Sequence, residues 1–455
     1  MTGRYKEYPE YKESGVEWLE NIPTHWSSKA LKFLCTYNDE VINETTDPET
    51  IIEYVDIGSV SAVEGISKTE KIAFGKSPSR ARRIVSKGDV IVSTVRTYLE
   101  AIAPITNPPE NMIVSTGFAV IRPNSKLDKR FAAYCLRAKG FIREVVARSV
   151  GISYPAINAT ELVGISVPYL PYEEQQKIAN FLDHETAKID TLIAKQEKLI
   201  ELLKEKRQAV ISHAVTKGLN PEASMKDSGV EWLGEVPEHW DVMELKFSAK
   251  KGYKTFTDGD WIESPYITDT GVRLLQTGNV GTGFFKEQGF RYISDSSYHK
   301  LNCTEVKPND VLICRLDGPV GRSCLAPDLG VKVITSVDNA ILKPSDNFDP
   351  RFIVYATNSE SWINWIQDLC RVGGGFRLRI SRTMLGEQKI PCPPLNHQKN
   401  IADMLDNLSD LVNESILKSN KSIALLKERK TALISAAVTG KIDVRDWQEQ
   451  TEQQG

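Results

Sequence analysis

Asn107-Pro108-Pro109-Glu110 is the stretch of this chain that comes nearest to a catalytic motif. Adenine methyltransferases use Asn-Pro-Pro followed by an aromatic ring, and that ring stacks on a flipped base. Here Glu110 stands in the aromatic position, and no glycine-rich cofactor loop opens a βαβ unit ahead of it. The four residues therefore read as a proline-rich loop. Gly373-Gly374-Gly375 could cradle a phosphate, but no lysine follows at P-loop spacing. No clustered carboxylates with a lysine suggest a nuclease metal site, and the six histidines are dispersed. His25 and His239 sit inside a repeated W-L-x-x-x-P-x-H-W motif and read as structural. No catalytic residue and no metal site are expected.

Positive charge gathered at a few places remains. The net charge is −3, so no global basic field favours nucleic acid, and any such binding must be local. Lys76, Arg80, Arg82 and Arg83 crowd a turn-rich stretch. Arg377, Arg379 and Arg382 follow the three glycines, where backbone and side chains can approach a phosphate. Arg137, Lys139, Arg143 and Arg148 recur at helical spacing, and Arg96, Tyr154, Arg315 and Arg322 complete the candidate set. Arginine can neutralise phosphate or pair bidentately with guanine. A single arginine is more often solvated or paired internally; as a set inside the divergent regions described next, DNA contact is the stronger reading.

These residues lie in a chain written twice. Ser14–Trp26 reads SGVEWLENIPTHW and Ser228–Trp240 reads SGVEWLGEVPEHW, an offset of 228 − 14 = 214. Leu202–Thr216 (LLKEKRQAVISHAVT) returns as Leu425–Thr439 (LLKERKTALISAAVT), an offset of 425 − 202 = 223. Between these anchors the copies diverge but keep landmarks. Gly58 and Val60 match Gly278 and Val280, and Asp89 matches Asp310. Asp128-x-Arg130-Phe131-x-x-Tyr134 matches Asp349-x-Arg351-Phe352-x-x-Tyr355. Shared ends suit surfaces that do one job twice; divergent middles suit related jobs on different targets. Duplication followed by drift is the plainer account, but it explains less well why the helices stay alike while whole domains diverge.

The middles mix β-rich runs (Asp89–Val95, Met112–Ile121, Val331–Leu342) with a helical stretch at Arg130–Val146, so a small mixed sheet with a few helices is expected. After Pro171 and Pro394 the pattern turns helical. A short helix is expected to His184, then a long one over about Thr186–Val215, with its counterpart over about Ser409–Val438. Ile189, Ile193, Ile200, Leu203, Val210 and Ala214 form an apolar stripe, repeated by Val412, Ile416, Ile423, Leu426, Leu433 and Ala437. The spacing is that of a coiled-coil seam. Lys195, Lys198, Lys204, Lys206 and Arg207 read as its solvated face. From Ile189 to Ala214 the helix spans about 40 Å at roughly 1.5 Å per residue. That length suits a ruler between DNA half-sites about 34–36 Å apart.

This layout resembles the specificity subunit of type I restriction–modification enzymes. The residues carrying the resemblance are the two opening motifs, Gly88-Asp89-Val90-Ile91, and the exit into the helices. That exit runs Gly151, Ile157, Leu162, Val167-Pro168, Pro171, Gln175, Ile178-Ala179, Leu182-Asp183. Its copy runs Gly374, Ile380, Leu385, Ile390-Pro391, Pro394, Gln398, Ile401-Ala402, Leu405-Asp406. The resemblance implies an α+β architecture with a pseudo-twofold internal repeat, in which two mixed α/β target recognition domains are separated by a pair of long antiparallel coiled-coil helices. The expected segments are recognition domain 1 (1–170), spacer helices (171–217), recognition domain 2 (218–392), spacer helices (393–442) and a tail (443–455). It further implies a split, asymmetric DNA site, two copies of an adenine methyltransferase subunit, and ATP-driven translocating restriction subunits. S-adenosylmethionine, ATP and Mg2+ would reside on those partners and none on this chain. The loop Gly151–Ile157 lacks counterparts of Arg377 and Arg379, leaving Tyr154 or Ser153 to take their part. Two rival readings are a self-contained methyltransferase and a coiled-coil scaffold that never touches nucleic acid.

The seven cysteines, odd in number and without C-x-x-C or zinc spacing, read as reduced thiols. With no signal-like N-terminus and no long apolar run, a cytoplasmic protein is expected.

Overall fold

Each repeated opening motif folds as a short antiparallel hairpin in the computed structural model, which describes residues 5–63, 65–371 and 378–448. Tyr11–Glu13 pairs with Asn21–Pro23, and Met225–Asp227 pairs with Glu235–Pro237 in the same register. The next strand reaches across each domain. Ser27–Ala30 pairs with Ser166–Tyr169, and Asp241–Glu244 pairs with Lys389–Cys392. Each domain is thereby tied shut where its divergent middle begins and ends, which is why the shared sequence clusters there.

The middles follow one topology. In the first, an antiparallel sheet runs Ile102–Pro104, Val90–Ser93, Phe118–Pro123, Cys35–Tyr37. In the second, Ser323–Leu325, Val311–Cys314, Asn339–Leu342 and Phe256–Asp258 follow the same order. A further mixed sheet in each holds one parallel pair, Ile51–Val55 with Met112–Ser115 and Val272–Leu275 with Val333–Thr335. The central strands Val90–Ser93 and Val311–Cys314 are buried at every residue, so they read as unbroken apolar runs rather than alternation.

The Asp-x-Arg-Phe-x-x-Tyr landmark is a capping and docking device. Asp128 caps the helix Lys129–Leu136, its carboxylate accepting from the Arg130 and Phe131 N–H groups. Asp349 caps Pro350–Ala356 through the Arg351 N–H. A capping side chain of this kind is worth about 1 kcal/mol. Tyr134 OH then donates to Asp183 at 2.7 Å, and Tyr355 OH to Asp406 at 2.6 Å. Gln175 and Gln398 accept the backbone N–H of the two capping aspartates at 2.8 and 2.9 Å. The same four residue types in each copy, Asp, Tyr, Gln and Asp, thus fasten each domain to the long helix that follows it. The expected helix over Arg130–Val146 is two helices, Lys129–Leu136 and Lys139–Ala147.

Asp89 and Asp310 are a second matched pair with an unmatched partner. Asp89 is buried, caps the turn through the Ser86 N–H at 2.8 Å, and takes both Nε and Nη2 of Arg122 at 2.9 Å. Asp310 caps its turn through the Lys307 N–H at 2.8 Å. Lys343 stands at the position of Arg122, but its Nζ donates to the Glu305 carbonyl at 3.3 Å. Burial pushes Asp310 above the usual carboxylate range, partly offset by the Lys307 N–H and the charge of Lys343.

The first long helix is Tyr172–Lys217, 46 residues without a break. The break expected near His184–Thr186 does not occur: Thr186 does not cap a new helix but is buried, its hydroxyl 3.3 Å from Tyr134 OH. The second long helix is Leu395–Val438 and starts nearly four turns before Ser409, because Pro394 opens it as Pro171 opens the first. The chain divides into two compact units, one with the described residues to Glu197 and from Asn420, the other Lys198–Ser419. In the first unit, Ile189 and Ile193 share a core with Leu433, Ile434, Ala437 and Val438, edged by Ile423 and Leu426. In the second, Ile211, Ala214 and Val215 share a core with Ile401 and Leu405, edged by Val210. Early residues of one helix meet late residues of the other in both units, so each pairing is antiparallel. All twelve seam residues are buried or half-buried, including Ile200, Leu203, Val412 and Ile416.

All seven cysteines are free thiols, six buried and Cys392 half-buried. Burial raises Cys35 to about 12 and Cys303 to about 11. Among the described residues no helix is long and apolar enough to cross a membrane.

Candidate nucleic-acid interface

The buried central strand Val90–Ser93 delivers the chain into a tight turn. Arg96 and Glu100 both take the left-handed conformation there, each with φ of 51°. Non-glycine residues held so cost of order 1–3 kcal/mol and cluster where function requires it. The turn is lashed to the loop before residue 157. Val95 bridges Ala156, the Thr97 N–H reaches the Pro155 carbonyl at 3.4 Å, and Thr97 Oγ1 donates to Ser149 Oγ at 2.8 Å. Arg96 is thereby stacked on Tyr154, 4.9 Å from the ring centre. Around them Tyr98, Val150 and Ile152 stand in solvent, Ile152 completely. Arg148, two residues from Val150, is exposed and ion-paired to Glu144 at 2.6 Å. An exposed apolar patch beside stacked arginine marks a contact surface rather than a core.

The second unit repeats the geometry with other side chains. Leu316 bridges Arg379 as Val95 bridges Ala156, and Asp317, at the place of Arg96, has the same φ of 51°. Arg379 is half exposed, 3.5 Å from Asp338. Arg382 donates to the Phe256 carbonyl at 2.8 Å and lies 3.4 Å from Asp258. Arg377 lies outside the described residues.

Two candidates are corrected. Arg315 is buried, with Nη1 on the Ile380 carbonyl at 3.1 Å and Nη2 on Asp258 at 2.8 Å; burial lowers its pKa, partly offset by Asp258. It anchors the loop to the sheet and cannot reach a groove. Arg322 donates to the carbonyls of Val280, Thr277, Asp317 and Pro319 at 2.7 to 3.1 Å, so its fork pins the surface turn from inside. Neither fate is visible in sequence, since an arginine beside a β-run looks alike whether it faces in or out.

On another part of the first unit, Lys76 and Arg80 are exposed and Arg82 and Arg83 half-buried along the strand Ala81–Ile84. Arg80 lies 3.5 Å from Asp56, and its pKa is raised by Tyr54 and Asp56. Arg82 stacks on Phe74 at 5.2 Å, while burial lowers Arg83, whose Nε has no partner. Arg137 is tucked against its own helix, with Nε on the Ala133 carbonyl at 2.9 Å; Lys139 and Arg143 stay exposed.

Sequence reasoning missed the aromatic surface of the second unit. Tyr253, Trp261, Phe284 and Phe290 are exposed, with Lys254 over Tyr253, Lys286 over Phe284 and buried Arg273 at 4.6 Å from the Phe290 ring. The signal was present as aromatics interleaved with bases in Phe284-Phe285-Lys286 and Phe290-Arg291-Tyr292.

The model of the type I restriction modification DNA specificity domain matches twice, at residues 24–202 and 237–425. A putative type I restriction enzyme specificity subunit, MjaX of Methanocaldococcus jannaschii, is 28% identical over 96% of this chain and 98% of its own length. The EcoKI specificity subunit of Escherichia coli K12 is 22% identical over 71% of this chain and 68% of its own. Among solved structures, one concerned with assembly and conformational transition of the type I R-M system aligns with a TM-score of 0.69. It is 23% identical and covers 92% of this chain and 99% of that one. The HsdS subunit of Thermoanaerobacter tengcongensis aligns at 0.52, with 23% identity and 92% and 98% coverage.

Proposed function

The chain belongs to the type I restriction–modification DNA specificity family, and on that premise we propose how its two units divide the work. It is the sequence-reading, non-catalytic member of a complex with methyltransferase and restriction subunits, in the cytoplasm. Each unit reads one half of a two-part, asymmetric DNA site. Two methyltransferase subunits and the restriction subunits assemble on it and carry S-adenosylmethionine, ATP and Mg2+.

One observation carries this reading: the same strained turn, lashed to the same loop, presents Arg96 and Tyr154 in one unit and Asp317 and Arg379 in the other. A common frame with exchanged side chains is what reading unlike half-sites requires, because base edges are told apart by donor and acceptor pattern. Lys76, Arg80, Arg82, Arg83, Arg148 and Arg382, basic residues of the divergent regions, are assigned to phosphate or base contacts. The test replaces residues 27–170 with the corresponding region of a relative and maps methylated adenines in cells carrying the assembled system. One half-site is expected to change while the other stays. An unchanged site would refute recognition by this region, and methyl transfer by the isolated chain would refute the non-catalytic role.

A further inference from the structure

The guanidinium of Arg322 clamps two separate pieces of the second unit together. Its Nη1 donates to the carbonyls of Asp317 and Pro319 in the strained turn, at 2.7 and 3.1 Å. Nε and Nη2 donate to those of Val280 and Thr277, at 2.7 and 2.9 Å. Val280 opens a tight hairpin by bridging Phe285, and the Gly283 N–H inside that hairpin reaches the Ser323 carbonyl, just past the turn, at 2.9 Å. Turn and hairpin therefore share one side of the domain. The first unit has the same arrangement. Val60–Ser61 pairs with Gly65–Ile66, and Ala62 and Val63 line one cavity with Glu100 of the turn.

Phe284 stands on the second hairpin 57% exposed, with Lys286 Nζ 5.7 Å from its ring centre. The backbone around it is held from inside. Asn279 is buried, and its Nδ2 donates to the carbonyls of Lys286 and Gln288 at 2.9 and 2.8 Å. Arg273, also buried, donates to those of Gln288 and Gly289 at 3.1 and 3.3 Å. Two buried polar side chains spent on one surface loop fix its geometry, which is the support a contact residue needs. Gly281 completes the shape: a Cβ there would lie 2.5 Å from the Phe284 carbonyl oxygen and 3.1 Å from its ring. We infer that Phe284 is a specificity-determining residue. Its ring makes an apolar contact with a base of the half-site read by the second unit, next to what the turn and Arg379 read, and Lys286 meets a neighbouring phosphate. This rests on the second unit being a DNA reader, and it adds a second reading element to the turn.

The test uses the chain assembled with its methyltransferase subunits, a duplex carrying the mapped methylation site, and a scrambled duplex of the same length. Phe284→Ala is expected to weaken binding to the site about tenfold. Binding to the scrambled duplex should change less than about twofold, and the salt dependence should hold, since no phosphate contact is lost. At least one base-pair change in the second unit's half-site should lose most of its penalty. Changes in the other half-site should cost what they did, which also shows that the variant is folded. Gly281→Ala displaces the ring without removing it and should behave like Phe284→Ala, while Lys286→Gln should flatten the salt dependence by about one unit. An equal loss on both duplexes, or base penalties left unchanged by Phe284→Ala, overturns the inference. A natural complex unable to tell the two duplexes apart would instead overturn the reading of the whole chain, and this inference with it.

Discussion

Asp89 with Arg122, and Asp310 with Lys343, form a comparison in which backbone context is held and one side chain differs. Guanidinium offers a planar fork that meets both carboxylate oxygens; ammonium is a point charge that cannot. Burial raises the pKa of Asp310, and the charge of Lys343 offsets only part of that. Its folded pKa lies above its unfolded one, so its contribution is complete below the usual carboxylate value near 3.9 and is lost as pH rises through the raised value. Lys343→Arg is expected to lower that pKa and stabilise the second unit by about 1 kcal/mol at pH 7. Urea unfolding at pH 5 and pH 7 checks this, and an unchanged difference between the two would disprove the pairing. At the interface, Arg96→Gln and Arg379→Gln should each weaken DNA binding. Each should also flatten the dependence of log K on log salt by up to about one unit if its target is a phosphate. A weaker complex with an unaltered slope would point to base contact instead.

At the scale of elements, the repeat and the seam were legible because they rest on spacing, which one sequence displays in full. Strand order was not, since pairing partners such as Ser27–Ala30 and Ser166–Tyr169 lie far apart in the chain. The break expected near His184–Thr186 is absent, and the contact that holds Thr186 inside the helix, with Tyr134, is tertiary and invisible in sequence. Arg315 and Arg322 were misread because burial follows from the fold, while Arg96 with Tyr154 was assembled only by a turn neither residue announces. The seam itself can be tested by contrast. Leu433 is 1% exposed and Leu425 56% exposed on the same helix. Leu433→Ala should destabilise the first unit by about 2–5 kcal/mol, and Leu425→Ala by no more than about 0.5 kcal/mol. Similar losses at both positions would mean that the seam faces elsewhere.

For the molecule as a whole, the shared long helices matter most. The first unit completes its core with Leu433, Ile434, Ala437 and Val438, far from its other residues in sequence. Its beginning and end are also tied: Tyr11 OH donates to the Gly440 carbonyl at 3.0 Å, the Asp443 N–H to the Lys6 carbonyl at 2.8 Å, and Lys6 pairs with Asp446 at 3.0 Å. A chain stopped after Lys217 would leave an apolar trough along Ile178, Leu182, Ile189 and Ile193 open to water. Such a fragment is expected to aggregate or self-associate, and a peptide of residues 420–448 added during refolding should return it to solution as a one-to-one complex. A monodisperse, cooperatively folding 1–217 fragment would contradict this.

That interleaving bears on how the protein is made. A ribosome that has released the first recognition domain has not yet produced the residues that seal it. Until Val438 emerges, the nascent chain must carry an exposed greasy strip through the synthesis of some two hundred further residues. Truncation by a late stop codon would therefore damage the earliest-made domain first.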